Sequence, residues 1–155
     1  MRTAAITVLG VVLLGAAIAS ADDDRPDLSG TWKLNVAQSK PAPSEQQVVM
    51  TIEENGDKLH LKETRGLQPK KDDVSEFTCT MTGEDCPMLD GGHKAKASAY
   101  YNGPVLVVFK TNEHRGGSVE KWRLSLAPKG DSLTKEITHI QPQQPTETLV
   151  FSREK

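Results

Sequence analysis

From Leu28 to Phe151 the chain repeats one pattern: short runs in which apolar and polar residues alternate, cut every eight to twelve residues by turn signals. Val48, Met50 and Ile52 fall on one face of Gln47–Glu54, and Leu59 and Leu61 alternate with Lys58, His60 and Lys62 in Asp57–Arg65. Trp122, Leu124 and Leu126 alternate with Lys121, Arg123 and Ser125 in Ser118–Ala127. A period of two places successive side chains on opposite faces of a strand, so each run has one face to bury. Asn55-Gly56 and Asn102-Gly103-Pro104 are hairpin turns between such runs. No stretch of ten or more residues shows a helical period. A chain of this kind must fold as a sheet of sequential hairpins.

Nine strands are predicted: Leu28–Val36, Gln47–Glu54, Asp57–Arg65, Val74–Thr80, Lys94–Tyr101, Val105–Thr111, Ser118–Ala127, Ser132–Ile140 and Thr146–Ser152. Ala37–Gln46, with Pro41 and Pro43, reads as a loop, as does Gly66–Asp73. Thr82–Gly92, with Gly83, Pro87 and Asp90-Gly91-Gly92, reads as a turn-rich connection. The short turns favour a meander, and an open meander would expose two edges. Closing it removes both. The fold class is therefore all-β, an up-and-down antiparallel barrel of eight or nine strands over 28–155.

Residues 1–21 have a different character. Met1-Arg2 starts positive, Ala4–Ile18 is almost wholly apolar, and Ala19-Ser20-Ala21 is a small-x-small triplet followed by three aspartates. This is the layout of a cleaved secretory signal, so a secreted or periplasmic location is expected. The apolar run is shorter than the roughly 20 residues a spanning helix needs, and no later segment could span. Residues 22–27 read as a disordered start. Removing 21 residues from 155 leaves 134, enough for one domain. That remainder has 18 basic and 21 acidic residues, since Arg2 is the only charge removed. A slightly acidic, dispersed charge excludes general nucleic-acid binding, which needs a basic face. In an oxidising compartment Cys79 and Cys86 are expected to form a local disulfide.

The Gly30-Thr31-Trp32-Lys33-Leu34 run resembles the opening strand of the lipocalin and fatty-acid-binding (calycin) superfamily, which begins with Gly-x-Trp and continues as a meander of eight to ten strands. The resemblance implies that Trp32 plugs one barrel end, that Gly30 permits close backbone approach, and that Arg153, in Phe151-Ser152-Arg153, stacks on Trp32. Ala37–Gln46 is too short for the helical lid of fatty-acid-binding proteins, and the chain end lacks their paired arginine and tyrosine. Fatty-acid binding is not carried over.

Catalytic patterns are absent. There is no Gly-x-Ser-x-Gly elbow, and His60, His93, His114 and His139 form no metal-binding spacing. Glu120 and Glu136, the nearest approach to a glycosidase pair, are better explained by ion pairs with Lys121, Lys135 or Arg123. No catalytic residue, metal or cofactor is expected, and the chain reads as a non-enzyme. Met50, Tyr100, Tyr101, Phe109 and Trp122 are the large side chains that could line a ligand pocket in the barrel. They could equally fill its core. The two readings are a binder of a small apolar or amphipathic ligand, and a filled-core interaction domain acting on an unknown envelope or extracellular protein.

Overall fold

The computed structural model describes residues 25–114 and 116–155. The expected signal segment 1–21 lies outside them. Ten antiparallel strands run in chain order: β1 (Gly30–Leu34), β2 (Val48–Asn55), β3 (Lys58–Arg65), β4 (Val74–Thr80), β5 (Thr82–Asp90), β6 (His93–Asn102), β7 (Val105–Asn112), β8 (Ser118–Leu126), β9 (Ser132–Gln141) and β10 (Gln144–Arg153). Each pairs with the next, and β10 returns to β1, so the sheet is a closed barrel. Closure is made by Trp32↔Arg153 and Leu34↔Phe151 on one side of β1 and Trp32↔Met50 on the other.

The count of eight or nine strands is corrected to ten. The additional strand is β5, which the sequence presents as a turn because Gly83 and Pro87 interrupt its alternation. Seven register pairs with β6 override those local signals. The loop between β1 and β2 carries only a short 3-10 turn, Val36–Gln38, held against β10 by the Lys40↔Thr148 bridge. No lid of helices covers the barrel between these strands.

Inward alternate positions build one apolar core. Trp32, Met50, Ile52, Leu59, Leu61, Leu106, Leu124, Leu133 and Phe151 are all buried within it. At one end, the floor, the indole of Trp32 is fully buried and donates from Nε1 to the Leu28 carbonyl at 2.9 Å. The Arg153 guanidinium lies 4.2 Å from the indole centroid and donates to the carbonyl oxygens of Ser29 and Gly130. Gly30 fits between them at φ +140°, where a Cβ would meet Arg153 Nη1 at 2.7 Å. Of the segment 22–27, residues 25–27 lie along this floor, with the Tyr101 hydroxyl donating to the Pro26 carbonyl at 3.2 Å.

Candidate binding site

Toward the opposite end, the mouth, the inward register changes from apolar to charged. Lys135 stands between Leu133 and Ile137 on β9, and Glu63 follows Leu59 and Leu61 on β3. Both therefore point inward. Their charges meet at 2.7 Å, with side chains 2% and 4% exposed. Arg65 Nη2 reaches the other Glu63 oxygen at 3.0 Å. Burial alone would raise the Glu63 pKa, but the charges and hydrogen bonds of Lys135 and Arg65 reverse that and pull it down to about 2.

Lys110 bridges Asp90 and Glu120 at 3.1 Å each. Asp90 also accepts from Ser75 and Asn112. Burial opposes ionisation of Asp90, yet Lys110 and these donors hold its pKa below the usual range. Trp122 joins the two groups: its Nε1 donates to Glu120 at 2.9 Å, and the Lys135 and Lys110 ammoniums lie 3.7 and 5.6 Å from its ring. His139 sits beside Glu147 at 2.8 Å and Glu120 at 3.9 Å. Among the described residues no buried side-chain nitrogen or oxygen lacks a partner. The interior is thus filled with apolar groups below and closed by satisfied charges above.

Large open space lies elsewhere. A cleft of about 930 Å³ runs along the β4–β5–β6–β7 wall. Thr78, Pro87, Leu89, Lys94, Lys96 and Thr111 line it from outward positions, and Phe77, Cys86, Met88 and Ala95 alternate with them. It therefore opens on the outer surface. Leu89 is 48% exposed, one of three large apolar side chains so exposed among the described residues. At its edges Glu76 is engaged by His60 at 2.8 Å, and Lys96 approaches Glu113 at 3.9 Å. A smaller pocket of about 250 Å³ lies at the floor, between Arg25, Asp27 and Glu54. There burial raises the Glu54 pKa against the hydrogen bonds it accepts from Tyr101 and Leu28.

The five side chains named as possible pocket lining do not converge. Met50 and Trp122 are buried in the core, and Tyr101 is tied to Glu54 at the floor. Tyr100 and Phe109 alternate with core residues and so face outward, Phe109 beneath Lys121. Cys79 and Cys86 form a disulfide across β4 and β5, Cα to Cα 5.4 Å. Glu120 faces inward and Glu136 outward toward Arg123, so they cannot flank one bond. His93, the first residue of β6, and His114, in the turn after β7, bring their ring centroids to 5.1 Å. No group of three or more metal-binding side chains occurs among the described residues. None of their helices is long and apolar enough to cross a membrane.

Sequence reasoning missed the cleft because its floor is β5. It also missed the inward Glu63–Lys135 pair, although a charge in the inward register of an alternating strand was the available signal.

No family model matches the sequence, and no curated protein resembles it. Solved structures share its fold. The REP1-NXSQ fatty acid transporter is 14% identical, with 83% of this chain and 97% of that one covered at a TM-score of 0.62. Caenorhabditis elegans lipid binding protein 8 is 12% identical, with 89% and 100% covered at 0.61. The fatty-acid-binding protein of Manduca sexta is 16% identical, with 81% and 98% covered at 0.55. The chain has the ten-stranded barrel fold of these proteins.

Proposed function

We propose that this chain is an exported, non-enzymatic binding protein that takes a small apolar or amphipathic ligand in the β4–β7 wall cleft, with the barrel as its rigid scaffold. The observation that carries the reading is the pairing of a filled interior with a cleft of about 930 Å³. That volume falls within the range of small-molecule sites, which are mostly apolar with a few polar groups. Pro87 and Leu89 supply exposed apolar surface, backed by the buried Phe77 and Met88, and Lys94 and Lys96 supply charge at the rim. Lipid-binding and fatty-acid-binding proteins among the neighbours of this fold support a binding role over a catalytic one. Export rests on residues 1–21, and the mature protein recovered from its host should begin near Asp22.

The test is titration with 1-anilinonaphthalene-8-sulfonate, an amphipathic fluorophore. Leu89→Glu places a carboxylate on the cleft floor and should weaken binding by about tenfold or more, roughly 1.4 kcal/mol. Tyr100→Ala, on the outer face beyond the cleft lining, should bind as wild type. Equal affinity for Leu89→Glu and wild type refutes the site. The filled interior also favours a second reading, in which the cleft receives an apolar side chain of a protein partner. The closed barrel leaves no edge strand for such a partner to extend.

A further inference from the structure

The β4–β5 seam has, together with the β1–β10 closure, the shortest ladder in the barrel wall. Its ladder has three register pairs, Ser75↔Asp90, Glu76↔Leu89 and Phe77↔Met88. The flanking β3–β4 and β5–β6 ladders have seven each. The ladder stops where Thr78 would meet Pro87, a residue with no N–H to donate. Below that point β5 breaks register with β6 between Thr82 and Asp85, beside Gly83 with φ +83°. Two register positions beyond the last paired residues, the Cys79–Cys86 bond joins the strands at a Cα–Cα distance of 5.4 Å. Cys79 is buried, its sulfur 3.7 Å from the Ala97 carbonyl oxygen of β6. Cys86 is half-buried and lines the wall cleft.

We propose that Cys79–Cys86 is a thiol–disulfide exchange site whose reduction by a dithiol unlatches the lower β4–β5 seam and extends the wall cleft into the barrel. A thiolate of the dithiol attacks Cys86 Sγ from the cleft side. The S–S bond breaks, and Cys79 leaves as a thiolate and takes a proton. The second thiol of the reductant then attacks the mixed disulfide. Cys86 is released as a thiol, and the reductant departs as a disulfide. Two electrons and two protons pass to the protein. With the cross-link gone, the three-pair ladder, Phe77–Met88 packing and the Ser75–Asp90 hydrogen bond hold only the upper seam, so opening of its lower part becomes a low-energy local motion. The proposal does not depend on what the cleft binds.

Hydrogen exchange of the whole purified protein, with and without dithiothreitol, tests it. Alkylation should show both thiols freed. Peptides covering 78–88 should then exchange about tenfold faster or more, while peptides of β8, β9 and β10 keep their protection. The double variant Cys79→Ala/Cys86→Ala should reproduce the reduced pattern, and a bond that dithiothreitol leaves intact in the folded protein overturns the proposal. Unchanged exchange over 78–88 in the alkylated protein or the double variant overturns the proposal. So does loss of protection throughout the barrel, or failure of the double variant to fold, because the bond would then hold the whole fold and not the seam.

Discussion

Removing either member of the Glu63–Lys135 pair should be costly, and unequally so. Taking one partner from a buried ion pair costs roughly 3–5 kcal/mol, because a charge stays buried without compensation. Lys135→Met leaves Glu63 with Arg65 at 3.0 Å, and the Arg65 side chain is 40% exposed. The loss should therefore fall at the low end, about 3 kcal/mol. Glu63→Leu leaves the Lys135 ammonium with the face of Trp122, 3.7 Å away. A cation–π contact in a desolvated site returns only about 2 kcal/mol, so this loss should approach 5 kcal/mol. The double variant Lys135→Met/Glu63→Leu replaces the pair with apolar groups and should be more stable than Glu63→Leu alone. Urea unfolding at pH 7, followed by tryptophan fluorescence, measures all three. Losses below about 1 kcal/mol for both single variants, typical of an exposed pair, would refute the reasoning. A Lys135→Met loss larger than that of Glu63→Leu would refute the asymmetry.

The same pair sets an acid response. The Glu63 pKa in the folded chain is about 2 against 4.5 when unperturbed. A depressed pKa stabilises above the unfolded value, so this contribution is present above pH 4.5 and lost as pH falls toward 2. Stability measured across that window should drop less steeply in Glu63→Leu than in wild type. Trp32→Ala removes the fully buried floor plug and should cost about 3–5 kcal/mol by thermal or urea unfolding. A near-unchanged melting curve would show that the indole does not close the barrel. Gly30→Ala meets both a φ of +140° and Arg153 Nη1 at 2.7 Å. It should cost about 1–3 kcal/mol in the same assay, and a stabilised variant would contradict the close approach.

Much of the barrel could be read from alternation alone. Wherever a run kept its period of two, as in Leu59 and Leu61 or Trp122 and Leu124, the burial of every second side chain followed. β5 could not be read because its pairing energy is tertiary: Gly83 and Pro87 are poor strand residues, and the ladder to β6, with the shorter one to β4, keeps the segment extended. Pocket lining was the least legible. Size and aromaticity drew attention to Tyr100 and Phe109, but the inward or outward sense of a side chain is set by register, and one position decides it. Glu63 and Lys135 carry no local signal that they pair with each other. Only the closed sheet brings them together, 72 residues apart in the chain.

The most direct test of a filled barrel with an external site is a 1H–15N amide titration of the mature protein with 1-anilinonaphthalene-8-sulfonate. Shift changes should gather at Thr78, Leu89, Lys94 and Thr111 on the β4–β7 wall. Changes centred instead on the core strands around Met50, Leu61 and Leu133, with the wall amides still, would place the guest inside the barrel and contradict the external site.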